Sequence, residues 1–228
     1  MIKKQEFENS LREPLSFWQN KSRDEVRDLL GNAVAQMIGF AQNNPHHCYD
    51  LFLHTLHAVD EIGSSYPTVL RTAAFFHDIG KPCVAFEKQG RTVFYGHAQE
   101  SAQIAAPILA ELGYSAREIE LICFYITHHD DFISWILPAE KGDRQNPYQK
   151  EITLKNVGAH LKKVMRENAL FEADDAKCVW LNLMELCRAD ASAQAEFVYK
   201  NGTLIDSRAH KMQKAGRIRE IVSEFFAQ

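Results

Sequence analysis

The sequence predicts an all-α protein, on three observations. Apolar residues recur at helical spacing through most of the chain. Ser-x-x-Glu signatures, which satisfy the free N–H groups of a helix start, stand before two of those runs. Strand signals are few: the one extended-looking stretch is Arg91-Thr92-Val93-Phe94-Tyr95, between Gly90 and Gly96.

Ser22-Arg23-Asp24-Glu25 opens a helix carrying the stripe Val26, Leu29, Leu30, Ala33, Val34, Met37 and Ile38, ended by Asn43-Asn44-Pro45. A second helix is expected from about Tyr49 to Ile62, stopped by Gly63. A third starts at Pro67, a good first helical residue. It puts Leu70, Ala73, Ala74 and His77 on one face and ends by Gly80 and Pro82. A fourth runs from about His97 to Leu112, with Gly113 as C-cap and Pro107 expected to kink it. Ser115-Ala116-Arg117-Glu118 opens a fifth, through Ile119, Ile122, Cys123 and Ile126 to His128. The polar connection Pro138 to Glu151 has the length of a functional loop, such as a lid. Helices over roughly Thr153–Asn168 and Asp174–Tyr199 follow. The tail from Asn201 contains a basic helical stretch, His210 to Arg219, then Ile221 to Phe226. It reads as a solvated helix face packed on the body; the alternative is a partner or RNA contact.

At 228 residues, 46% hydrophobic and 25% charged, the chain suits one globular domain with a real core. A formal net charge of -4 argues against a non-specific nucleic-acid binder, so nucleic acid is not the favoured partner. It leaves room for a local basic pocket. The five cysteines, Cys48, Cys83, Cys123, Cys178 and Cys187, are dispersed and odd in number, which argues against a disulfide framework or zinc ribbon. The N-terminal residues lack the apolar stretch of a signal peptide. No apolar run approaches the ~18 residues of a membrane span. A cytoplasmic protein, with no membrane partner, is expected.

Ten histidines are the compositional oddity, several of them beside acids. His77 ends an apolar helix face, where a hydrogen-bonded core histidine is the ordinary reading. The adjacent Asp78 changes this, because a carboxylate there is costly to bury unpaired and histidine plus carboxylate suits a divalent transition metal. Asp190 falls on the stripe of Val179, Leu183, Leu186 and Cys187. It needs either a salt bridge, to Arg188 or a distant lysine, or a bound cation. His54 lies in an equally apolar run, with His57 one turn on. Gathered together, His54, His77, Asp78 and Asp190 give two imidazoles and two carboxylates from three helices, with coordination positions left over for water and substrate. His97 begins a helix, while His128 and His129 end another. If His97 and His128 converge there is room for a second ion, and ions ~3.5–4 Å apart suit phosphoryl chemistry. His128 is preferred to His129, although helix ends are poorly phased from sequence.

His54-Thr55-Leu56, Phe76-His77-Asp78-Ile79-Gly80-Lys81-Pro82, Tyr95-Gly96-His97, Thr127-His128-His129 and Arg188-Ala189-Asp190 together resemble the HD-domain superfamily of metal-dependent phosphohydrolases. The order His, His-Asp, His, His, Asp is similar to its two-metal members. His77 to Leu112 especially resembles the HD domain of bacterial tRNA nucleotidyltransferases. The resemblance covers roughly Pro45 to Ala195. It implies an HD-domain helical bundle holding one or two divalent ions (Mn, Fe, Co, Ni, Zn or Mg) between helices. His54, His77, Asp78 and Asp190 become the core ligands, with His97 and His128 for a second ion. Lys81 would face the substrate phosphate, and an ammonium is a good point charge for that. Arg91 is a second substrate-binding candidate on charge and position, against the alternative of a surface arginine. The expected division is an N-terminal helical segment over 1–45 packed on the core, the HD domain over 46–200, and a C-terminal helical tail over 201–228.

The implied activity is hydrolysis of a phosphate ester of a nucleotide or related small molecule by metal-activated water. Asp78 bridges two ions and orients the nucleophile, Lys81 stabilises charge on phosphate, and His129 or His57 protonates the leaving oxygen. Phosphomonoester, cyclic nucleotide and dinucleoside polyphosphate all fit. The rivals are an HD-type di-iron oxygenase with nearly the same ligands and a non-catalytic nucleotide- or RNA-binding module. No nucleotidyltransferase segment precedes the domain here, so the tRNA end-adding reaction is not expected. Asp130-Asp131-Phe132 follows the paired histidines where cyclic-dinucleotide hydrolases usually have Gly-Tyr-Pro, so that activity is not expected either.

Overall fold

Helices dominate the structure, a computed structural model that describes residues 2–63, 65–140, 149–172, 175–200 and 202–228. The chain opens with four short helices, α1 (Lys4–Ser10), α2 (Pro14–Trp18), α3 (Arg23–Leu30) and α4 (Asn32–Ala35). The stripe from Val26 to Ile38 is therefore not one helix. It is broken at Gly31, whose φ of 88° lies where L side chains rarely go. Both expected capping boxes form: Ser22 and Ser115 each accept from the backbone N–H of Glu25 and Glu118, whose carboxylates reach back.

The central helices carry the histidines. α5 (Leu51–Asp60) is capped by Asp50, which accepts from Leu53 N at 2.7 Å. α6 (Thr68–Phe76) has Pro67 as its N-cap. One turn further, α7 (Lys81–Val84) leads into a hairpin of β1 (Phe86–Lys88) and β2 (Arg91–Val93), paired antiparallel. The extended-looking stretch is thus half of a hairpin. α8 (His97–Leu112) runs past Pro107 as one helix to Gly113, and α9 (Ala116–His128) returns beside it. A 3-10 turn at Pro138–Glu140 follows; residues 141–148, most of the expected lid, lie outside the described residues. α10 (Leu154–Glu167) leads to α11 (Ala176–Ser192), which packs against α5, α6 and α9. The expected start of that helix, Asp174, lies outside the described residues.

The C-terminal region differs from the expectation. α11 stops at Ser192, and a second antiparallel hairpin intervenes, β3 (Phe197–Lys200) with β4 (Thr203–Asp206). The chain then enters α12 (Ser207–Phe225), which lies against α11 and α10. Helical periodicity did not reveal the strands because their apolar residues, Phe197, Tyr199, Leu204 and Ile205, remain exposed.

The core is one hydrophobic cluster that includes the N-terminal helices. Phe7 meets Phe75 edge to face at 5.2 Å, and Trp18 packs on Phe75 while its indole N–H donates to Ser10 Oγ at 2.9 Å. Each such aromatic contributes about 1.5–3 kcal/mol by leaving water. Burial of Phe75 and Phe76 fixes the rotation of α6, and so where the following residue, His77, points. No described helix is long and apolar enough to cross a membrane.

Candidate metal centre

Four imidazoles share one local device. Nδ1 of His77 contacts the Ala74 carbonyl at 2.7 Å, Nδ1 of His97 the Phe94 carbonyl at 2.9 Å, Nδ1 of His129 the Ile126 carbonyl at 2.6 Å, and Nδ1 of His54 the Ala193 carbonyl at 3.3 Å. A carbonyl oxygen only accepts, so each Nδ1 carries the proton. In the neutral ring Nε2 is then left with its lone pair. Three of the four carbonyls lie three residues earlier in the same chain. A histidine at or just past a helix end, or at a helix start after a turn, finds such a carbonyl beside it.

The four Nε2 atoms converge on two carboxylates. His54 Nε2 lies 3.0 Å from Asp190 Oδ1, and His77 Nε2 lies 3.1 Å from Asp78 Oδ2. Cross distances are 3.5 Å from His54 to Asp78 and 3.6 Å from His77 to Asp190. On the other oxygen of Asp78, His97 Nε2 stands at 3.1 Å and His129 Nε2 at 3.7 Å. Two donor groups result, one of His54, His77, Asp78 and Asp190 and one of Asp78, His97 and His129. Within each group, one candidate ligand atom per residue lies within 4.8 Å of the others.

The donor set fits divalent cations. Among the described residues, His54 Nε2, His77 Nε2 and Asp78 Oδ1 are buried without hydrogen-bond partners, a costly arrangement unless something fills it. Protons and cations compete for that place. Burial opposes charge on His77, but Asp78 and Asp190 outweigh it and raise its pKa to about 10. Burial likewise works against charge on Asp78 and Asp190, yet the histidines, and Lys81 for Asp78, hold both well below the ordinary carboxylate range. The cage therefore keeps two ionised carboxylates and attracts positive charge of either kind.

Asp190 does not pair with Arg188, as one alternative had it. Arg188 turns away to Glu185 at 2.8 Å and Glu61 at 3.2 Å. Gln194 Nε2 donates to both Asp190 oxygens at 3.2 Å, which orients the carboxylate. Lys81, buried, reaches Asp78 Oδ2 at 2.6 Å and Gln42 Oε1 at 2.9 Å.

Other expected residues are placed elsewhere. The second group takes His129, not His128. His128 Nδ1 bonds Asp131 Oδ2 at 2.8 Å, and the same oxygen accepts from His160 Nε2 at 2.7 Å. α9 ends at His128, and the next residue, rotated by one helical step, faces the cage. His129 has its Nδ1 committed to the Ile126 carbonyl and its Nε2 in the second donor group. His57 stacks on Tyr49 at 4.3 Å between ring centroids and does not line the cavity over the cage. Arg91 is exposed and does not line it either, although its neighbours Thr92 to Tyr95 do.

Several residues beside the cage escaped the sequence reading. Asp130 Oδ2 lies 3.3 Å from His97 Nε2, and its adjacency to His129 was the available signal. His47 lines the cavity with its Nδ1 unpartnered among the described residues; burial and then Lys81 push its pKa down to about 2, so it is neutral. Lys211 and Lys214, from the tail read as a solvated face, line a second cavity beside Asp190.

The chain is 34% identical over 103 residues to the CC-adding tRNA nucleotidyltransferase of Thermus thermophilus, covering 43% of this chain but only 24% of that protein. The chain thus spans about a quarter of the length of this relative. Residues 46–165 match the model of the HD domain. That match takes in more than half of the chain and contains His54, His77, Asp78, His97 and His129, and by it the protein belongs to the HD domain family.

Proposed function

We propose that the protein is a metal-dependent phosphohydrolase acting on a small, nucleotide-like phosphate ester. The observation that carries this reading is the set of four imidazoles whose Nδ1 atoms are held by main-chain carbonyls while their Nε2 atoms converge on Asp78 and Asp190. His54, His77, Asp78 and Asp190 would hold one divalent ion; Asp78, His97 and His129 would contribute to a second, with Asp130 beside them. Such ions supply charge that neutralises phosphate and acidifies water. Mixed imidazole and carboxylate ligation admits Mn, Fe, Co, Ni and Zn, and Mg less well.

The chain's own residues do the rest. Asp78 offers one oxygen to each group, so its position sets the separation of the two. The carbonyl bonds to Nδ1 fix the rings, so little reorganisation is needed when substrate arrives. Lys81 lines a cavity of about 280 Å³ over the cage. Its ammonium, oriented by Gln42, can donate to a phosphate oxygen placed there while staying beside Asp78. Burial around the cage excludes bulk water and strengthens each of these interactions.

The test is a panel of phosphomonoesters, cyclic nucleotides and dinucleoside polyphosphates offered to protein reconstituted with each metal, alongside elemental analysis and an oxygen electrode. Phosphate release that disappears together with bound metal in Asp78→Ala is expected. An Asp78→Ala protein that still hydrolyses the same ester would refute the reading. Iron-dependent dioxygen consumption without phosphate release would move the assignment to oxygenase chemistry.

A further inference from the structure

Two cavities meet at the metal centre. One, described above, is walled by Lys81 and the β1–β2 hairpin. The other, about 240 Å³, opens between α11 and α12. They share His129, Asp130, Ile133, Asp190 and Gln194, so the cage lies at their junction.

The second cavity joins an apolar wall to two cations. Phe132, Met184, Ala191 and Ile218 supply apolar surface. Lys211 and Lys214, one turn apart on α12, supply two ammonium groups. Each uses one donor inside the protein: Lys211 Nζ donates to Gln194 Oε1, and Lys214 Nζ donates to the Ile133 carbonyl at 3.0 Å. An ammonium has three donors. Among the described residues neither lysine forms an ion pair. Of the acids around them, Glu140 pairs with His210, Asp190 belongs to the cage, and Asp130 faces His97 beside it. Burial pushes both lysines below their ordinary pKa; Asp190 partly offsets this for Lys211 and Glu140 for Lys214. Two partly buried ammoniums with no counter-ion among the described residues are costly, and an anionic ligand would remove that cost. The cost rises once cations bind the cage and draw on the charge of Asp190. Lys211 stands one side-chain amide away from that carboxylate, because Gln194 touches both.

We infer that the cavity between α11 and α12 is a second anion subsite, and that the favoured substrate is a phosphate ester carrying a second phosphate on the same nucleoside-sized body. The inference rests on the phosphohydrolase reading for which phosphate lies at the cage. The second phosphate binds Lys211 and Lys214, and the organic body lies on the apolar wall between them and the metals. Without that second anion a substrate would leave both ammoniums unsatisfied, so the lysines discriminate against simple monophosphates.

Calorimetric titration of metal-stripped protein with adenosine 3',5'-bisphosphate and with adenosine 5'-monophosphate tests this independently of turnover. Both ligands carry the same nucleoside and the same 5'-phosphate, so the difference between them reports the second phosphate. The bisphosphate should bind at least about tenfold more tightly, since hydrogen bonds between charged groups contribute about 1.5–3 kcal/mol. Lys211→Gln with Lys214→Gln should erase the difference, whereas Lys155→Gln with Lys163→Gln, the same charge change on the exposed face of α10, should preserve it. Lys214→Gln alone should remove part of it, which supplies a readout if the double variant does not fold. Equal binding of the two ligands by the wild type, or a difference that survives in the double lysine variant, overturns the inference. A lysine-dependent preference in a protein that hydrolyses no ester keeps the subsite and removes the phosphohydrolase reading instead.

Discussion

His97 Nε2 and His129 Nε2 face each other across 3.2 Å, with each Nδ1 already engaged by a backbone carbonyl. Two lone pairs cannot hydrogen-bond, and neither can two N–H groups. The pair is satisfied by one shared proton or by a cation that also meets Asp78.

His129→Ala should therefore lower bound metal toward one ion per chain, with activity falling by about a hundredfold or more. His128→Ala should leave the metal content unchanged, because that ring serves Asp131. Elemental analysis of the two variants after reconstitution with manganese distinguishes them. Equal metal loss in both would show that the second group is not built as described.

Lys81→Ala should reduce kcat/KM by about 10²–10³, the scale seen when a preorganised donor to developing charge is removed. Metal content should persist, since the cage retains all its nitrogen and oxygen donors. Lys81→Arg should recover little, because the buried contacts to Asp78 and Gln42 fit a compact ammonium. A Lys81→Ala protein at wild-type kcat/KM would place the substrate phosphate elsewhere.

Gly80 explains the glycine that follows His77-Asp78-Ile79. Its φ is ordinary, but a Cβ there would lie 2.6 Å from the Ser101 backbone nitrogen and 2.9 Å from the His97 carbonyl oxygen. The start of α8 packs directly on this turn, and Ser101 Oγ accepts from Gly80 N at 2.9 Å. Gly80→Ala must push α8 and His97 outward. A loss of about 1–3 kcal/mol in denaturant stability, with weakened second-metal binding, is expected. A stable Gly80→Ala protein with full metal content would contradict that packing.

Asp131 carries a pH signature. Burial opposes its charge, but bonds from His128 and His160 outweigh this and bring its pKa down to about 2. A carboxyl with a lowered folded pKa stabilises the fold above its unfolded value and loses that contribution as pH falls toward the folded one. The window is thus roughly pH 4 to 2, and the shift corresponds to at most about 2.5 kcal/mol. Asp131→Asn should be less stable than the wild type near pH 5, by up to that amount, and the gap should close near pH 2. Urea titrations of metal-stripped protein at both pH values measure it; a gap independent of pH would assign the effect to packing.

The sequence by itself determined the helical class and the capping boxes at Ser22 and Ser115, and it marked His54, His77, Asp78, His97 and Asp190 as candidate ligands. Those features are local: helical period, a side chain reaching its own backbone, a carboxylate on an apolar stripe that needs a cation. Only the tertiary structure decided between His128 and His129, because a helix end leaves about one residue of uncertainty in phase and the choice depends on where Asp131 and His160 lie. It also split the helix after Val26 at Gly31 and put strands at Phe197–Lys200 and Thr203–Asp206, where exposed apolar residues mimic a buried pattern. The lysines of α12 next to Asp190 were out of reach for the same reason. Lys211 and Asp190 lie on different elements, and a basic stretch reads as a solvated face until a helix is seen to fold it over a cavity.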